Sequence, residues 1–291
     1  MKEYKFYDKL LIICGVFFVM FVVTALLSVA VGRLFPPNSR TQLLAVSSVQ
    51  SVGIFIIPSL IGAKLAFGNA VKFLRLDVAP SWISLLGVVL AYCILLPFFN
   101  QLIYWNENIV FPAALEELGN KLRIYEDNAR RATDIILDTN SVGGLLSGVL
   151  IVGILTGFSE ELFFRGTLQQ MGASRGAVHT SIWVTALVFS AFHMQAFGFF
   201  PRFLLGAWFG YLLYWTGSIY VPAFAHALNN SVVVVCTWIF PKEQAFDTGM
   251  IGVAETGFPM AAFVSAVAFM IFIYYFKDLF FSKATLKYDI Q

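Results

Sequence analysis

The chain has 291 residues, of which 59% are hydrophobic and 12% charged, with a formal net charge of +2. Soluble domains carry about 25% charged residues, so this chain has too little charge to cover a water-facing surface, and its solvent is in part lipid. The net charge says nothing about nucleic acid, but the sequence holds no basic stripe for phosphates, so no nucleic-acid partner is expected.

In chain order, Lys2, Lys5 and Lys9 precede an apolar run from Leu10 to about Gly32. That run exceeds the about 7–15 residues of a signal-peptide core, so it reads as a retained first membrane helix. A membrane helix needs roughly 17–25 mostly apolar residues, and eight stretches are candidates: Leu10–Val31, Leu43–Ala66, Trp82–Tyr104, Gly143–Gln170, Thr180–Phe197, Phe203–Tyr214, Val221–Phe240 and Pro259–Phe276. The sixth is short unless it starts near Phe199. The expected fold is an all-α polytopic bundle in three parts. Residues 1–140 hold the first helices and a surface segment, 141–240 a core, and 241–291 the last helix and a cytoplasmic tail.

The longest polar stretch runs from Trp105 to Ser141. Leu115, Leu118, Leu122 and Tyr125 share one helical face there, which marks an amphipathic surface helix. It either caps a cavity or merely connects its neighbours. The fourth candidate carries Gly144 and Gly148, then Gly153 and Gly157, and the sixth carries Gly206 and Gly210. Small residues four apart let helices approach closely, so the fourth helix is expected in the middle of the bundle. Cys14, Cys93 and Cys236 each sit in an apolar stretch, at spacings that suit neither a zinc knuckle nor a disulfide framework. Lys and Arg slightly favour the side holding both termini, which places the termini in the cytoplasm of a bacterial inner membrane.

The chemistry concentrates in the fourth helix. Glu160, Glu161 and Arg165 follow the apolar run Leu145–Phe158. An ionised group near the bilayer centre costs at least ~2.5 kcal/mol, so such groups mark function by default. Glu161 and Arg165 stand four apart with the acid first, the favoured order for an intrahelical ion pair. Glu160 lies about 100° further round and has Phe164, not a charge, at i+4. Glu161 is therefore assigned to structure and Glu160 to chemistry. A hairpin turning near Arg175–Gly176 brings His193 of the fifth candidate to the height of Glu160, about 15 Å along each helix from the turn, with Phe189 beneath the imidazole. His226 follows Pro222 at the start of the seventh helix, with Asn230 one turn later and Asn229 less well aligned.

Two mechanisms fit these residues. A carboxylate that takes a proton from water, with an imidazole to orient it, makes a nucleophile. His226 and Asn230 then donate to a developing oxyanion. Alternatively Glu160, His193 and His226 hold a catalytic zinc, whose bound water has a pKa of about 7.

The run Glu160–Arg165 resembles the EExxxR motif of the CAAX-protease and bacteriocin-processing (CPBP) family of type II CAAX prenyl endopeptidase-like proteins. Phe189–His193 is similar to that family's FxxxH motif and His226–Asn230 to its HxxxN motif. All three occur in order, within roughly residues 140–240. The resemblance implies an eight-span intramembrane endopeptidase with a cavity open to the cytoplasm, in which Glu160 and His193 activate water, His226 and Asn230 support the oxyanion, and Glu161 and Arg165 hold the motif in shape. Family members are described both as metalloproteases and as glutamate-dependent proteases, so zinc stays an open alternative. The partners implied are the lipid bilayer and a membrane-associated protein or peptide substrate. Two other functions compete: a proton-coupled transporter, disfavoured by the lack of two related halves, and a non-proteolytic scaffold or bacteriocin-immunity factor.

Overall fold

The computed structural model describes residues 4–240 and 251–281, which form helices and connecting turns with no strand among them. Lys2, Lys242, Lys283 and Lys287, which enter the charge count, and the expected C-terminal tail lie outside the described residues. The long helices are α1 (Phe6–Gly32), α2 (Arg40–Phe67), α3 (Trp82–Glu107), α4 (Glu116–Leu137), α5 (Val142–Ala173), α6 (Val178–Phe192), α7 (Phe199–Thr216), α8 (Tyr220–Ile239) and α9 (Met260–Phe280). Among the described residues seven helical segments are long and apolar enough to cross a membrane, the seventh helix together with its preceding turn from Ala196. The chain is a polytopic all-α membrane protein.

Local chemistry sets the helix ends. Ser39, Ser81 and Ser141 each accept a backbone N–H of the first turn that follows them, satisfying donors that a helix start leaves orphaned. Gly68 and Gly217 end α2 and α7 at positive φ, where a Cβ is unfavourable. Pro97 lies inside α3 and cannot donate to the helix ladder. The α9 residue Ser265 mends the break, accepting from the Phe98 N–H at 3.3 Å and donating to the Ile94 carbonyl. Gln101 pairs with both polar groups of the Ala254 backbone, and Asn100 donates to Ile251. These two amides fasten the segment before α9 to α3.

The fifth and sixth candidate spans exchange roles. The sixth extends back to Phe199 and becomes a full-length helix. The fifth is the short one, ending at Phe192 after 15 residues, about 22 Å against a hydrocarbon core of about 30 Å. The cause is local. His193 Nδ1 bonds at 2.9 Å to the Phe189 carbonyl, the i−4 acceptor that the helix ladder would use, and Met194 turns to φ +56°. The histidine side chain caps its own helix.

The α5 helix lies at the centre, as its glycines imply. A Cβ on Gly148 would stand 2.9 Å from Val234, one on Gly153 2.2 Å from Ser231 Oγ, and one on Gly157 2.9 Å from the Ala227 backbone nitrogen. Three glycines on one face thus let α8 lie directly against α5. On another face Arg165 donates to the Gly206 carbonyl at 2.9 Å and Gln169 to the Gly210 carbonyl at 3.0 Å. The glycine pair of α7 exposes two successive carbonyls to two side chains one turn apart on α5. Gly157→Ala must displace backbone, not a flexible side chain. It is expected to destabilise by about 1–3 kcal/mol, the usual cost of overpacking. Gly143→Ala, where nothing lies within 4 Å, is the matched control, and thermal unfolding in detergent compares them.

The surface helix predicted between Trp105 and Ser141 is α4. Leu118 and Tyr125 of its apolar face are exposed, in position to rest on the bilayer. Its far end is pinned by Arg40, which donates to the Ile136 carbonyl at 2.7 Å and to the Gly144 carbonyl at 2.6 Å.

Candidate active site

Glu160 and Glu161 end a short α-helical stretch, Thr156–Glu161, between two π-helical stretches of α5, Val149–Leu155 and Leu162–Gln169. Such departures from the α ladder are uncommon and gather at functional sites. Here they rotate side chains out of α-helical phase on either side of the two acids.

The two carboxylates have different surroundings. Glu161 is fully buried. Its Oε1 accepts from Arg165 Nη1 at 2.7 Å and faces His226 Nδ1 at 2.9 Å. The Arg165 guanidinium lies between two aromatic faces, 4.3 Å from the Phe189 centroid and 5.3 Å from that of Phe209. Flat delocalised charge stacks well on rings. Phe209 also stacks on the His226 imidazole at 5.0 Å. Glu161, Arg165 and His226 are thus locked by ion pairing and packing together.

Glu160 has no such anchor. Its Oε2 is buried without a hydrogen-bond partner among the described residues. It lies 3.9 Å from His193 Nε2 and 3.9 Å from His226 Nε2. Both distances exceed a hydrogen bond. Each histidine turns its other nitrogen to an acceptor: Phe189 O for His193 and Glu161 Oε1 for His226. Hydrogen-bonding logic puts a proton on each Nδ1, which leaves two Nε2 lone pairs facing a carboxylate oxygen. Three electron-pair donors aimed at one small volume require a proton donor or a cation among them.

The long-range placement follows from the α5–α6 hairpin. Glu160 lies 13 residues before the end of α5, about 20 Å, and His193 follows the 15-residue α6, about 22 Å from its start. Equal arms bring the acid and the imidazole level, longer by a third than the sequence suggested. His226 reaches the same level from α8, because Gly157 admits Ala227 against α5.

Asn230 shares the His226 face, and its amide donates to the Val152 carbonyl at 3.1 Å. Asn229 donates to Asn230 Oδ1 at 3.2 Å and so fixes the orientation of that amide. One Asn230 amide proton remains for another acceptor. The structure also brings in Gln195, Arg202 and Glu126, which belong to no motif in the sequence. Arg202 donates to Gln195 Oε1 at 3.0 Å, and Gln195 Nε2 donates to Glu126 at 3.2 Å. The only sequence signal for Glu126 was that it lay on an amphipathic helix.

Whether Glu160, His193 and His226 suit zinc can be judged from spacing. Bonds of about 2.0–2.1 Å in a tetrahedral centre place ligand atoms roughly 3.3 Å apart, closer than the 3.9 Å found here. Among the described residues no group of three such side chains has metal-holding geometry. An oxygen about 2.8 Å from Glu160 Oε2 and from either imidazole nitrogen is accommodated at those separations. The separations are those of a water site and are wider than those of a closed zinc centre.

Residues 142–232 match the family model of type II CAAX prenyl endopeptidase Rce1-like proteins. Over 88 residues the chain is 30% identical to YpbD of Bacillus subtilis (strain 168), an uncharacterized protein. That alignment covers 29% of this chain and 42% of the relative, so the chain spans under half the length of the curated protein it matches. No solved structure matches. The resemblance read from the three motifs is thereby shown over the segment holding Glu160, His193 and His226, and it supports a CAAX-type intramembrane protease at family level.

Proposed function

We propose that the chain is an intramembrane endopeptidase in which Glu160 activates a water molecule held by His193 and His226. The observation that carries this reading is the unpartnered Glu160 oxygen lying equidistant from two imidazole nitrogens. The water gives a proton to Glu160, and its oxygen attacks the carbonyl carbon of the scissile peptide. His193 orients the water. His226, its Nδ1 proton accepted by Glu161, turns Nε2 to the same water, and Asn230 offers its second amide proton to the oxyanion. Glu160 then passes its proton to the departing amine, which completes hydrolysis. Glu161 and Arg165 hold His226 and the helix in place.

The substrate in this reading is a membrane-associated protein or peptide, and a prenylated CAAX peptide is the first candidate because the matching family model describes prenyl endopeptidase-like proteins. The slight Lys/Arg bias supports both termini in the cytoplasm, with the chain in a bacterial inner membrane. A fluorogenic farnesylated CAAX peptide, presented to the full chain in lipid nanodiscs, tests the reading. Cleavage by the wild type and none by Glu160→Gln is the expected result. Substrate flux in proteoliposomes with no cleaved product would instead favour a transporter.

Turnover is expected to persist after exhaustive chelation, with metal far below one atom per chain by elemental analysis. Loss of turnover on chelation, restored by zinc alone, would overturn the water-only geometry.

A further inference from the structure

Everything after His193 must hold that imidazole steady, yet the chain leaves its helix there. Met194 is a non-glycine residue at φ +56°. Such a conformation persists only where the surroundings over-determine it. The braces come from several sides. Asn106 of α3 donates to the Ala196 carbonyl at 3.2 Å and accepts the Phe200 N–H at 2.9 Å. Arg202 of α7 holds Gln195. From α4, one carboxylate does two things: Glu126 Oε1 accepts Gln195 Nε2 at 3.2 Å, and Oε2 accepts the Phe197 N–H at 3.3 Å. Bonds to an ionised acceptor are the stronger kind. Arg123, one turn before Glu126, lies 3.4 Å over the Phe197 ring.

We propose that Glu126 is a positioning residue for His193: its carboxylate bolts residues 195–197 to the interfacial helix α4 and so fixes the imidazole opposite Glu160. Glu126 touches neither the water site nor the reacting atoms and acts through the loop. The proposal rests on the protease reading for its kinetic consequence, but not for its structural one.

The test uses the full chain in nanodiscs, with hydrogen exchange at the Phe197 amide and turnover of the farnesylated CAAX peptide. Glu126→Gln is isosteric but cannot accept both donors through an ionised group. Its Phe197 amide is expected to exchange about tenfold faster, and its kcat to fall ~10–100-fold with little change in KM, as for a misplaced catalytic group. Arg130→Ala is the control. It removes the exposed Arg130–Glu107 pair between α4 and α3 and is expected to leave both readouts at wild-type values. Should Glu126→Gln fail to insert, Gln195→Ala removes one of the two Glu126 ties from the loop side, together with the Arg202–Gln195 bond, and leaves the Phe197 N–H tie in place. Wild-type exchange in the Glu126 variant, or the same loss from Arg130→Ala, overturns the proposal. If the wild-type chain does not cleave the peptide, the exchange at Phe197 still decides the bolt, and the protease reading fails separately.

Discussion

Glu160→Gln yields a folded, membrane-inserted chain whose turnover of a farnesylated CAAX peptide is lower by ~10²–10⁴-fold, the range that a general base supplies. The substitution keeps the shape of the side chain and removes its basicity. It breaks no hydrogen bond of Oε2, because that oxygen has none among the described residues. A buried, unpartnered carboxylate is itself a cost, so stability should hold or rise. In cells the same variant should accumulate full-length membrane proteins that the wild type shortens, and comparative membrane proteomics would name the substrate. Full activity in Glu160→Gln would reverse the assignment of the two acids.

Glu161→Ala should behave in the opposite way, with a loss of stability of about 3–5 kcal/mol, the cost of breaking a buried ion pair from one side. Without Glu161 the Arg165 charge stays buried with only the Gly206 carbonyl as acceptor. His226 also loses the acceptor of its Nδ1 proton. Arg165→Lys should not rescue, because an ammonium cannot reach Glu161 and Gly206 together while lying flat between Phe189 and Phe209. Thermal unfolding in detergent, followed by circular dichroism, separates the two phenotypes. An unfolding temperature for Glu161→Ala equal to that of Glu160→Gln would contradict the division of labour.

Much of this was legible because membrane insertion makes charge conspicuous. Glu161 and Arg165 at i,i+4 announced an ion pair, and the structure has it at 2.7 Å. The absence of a charge at i+4 from Glu160 announced a free carboxylate. Glycine spacing announced that α5 lies in the middle of the bundle; that α8 meets its glycine face and that two α7 carbonyls lie open came from the structure. What escaped were contacts set by irregular backbone. No periodicity reveals that α6 stops at Phe192, since the stop comes from a histidine side chain taking its own i−4 carbonyl. Asn100 and Gln101 hold the backbone before α9 through contacts more than 150 residues away in the chain. Glu126 was equally hidden, because its partners Gln195 and Phe197 lie about 70 positions on, in a loop without a motif.

The central claim is that Glu160 and His193 act as one unit upon one water. A double-mutant cycle measures this: kcat/KM for Glu160→Gln, His193→Ala and the pair, on the farnesylated peptide in nanodiscs. Groups acting as a unit are grossly non-additive, so the double variant should be no slower than the slower single variant. Losses that multiply would show two independent contributions and contradict the account.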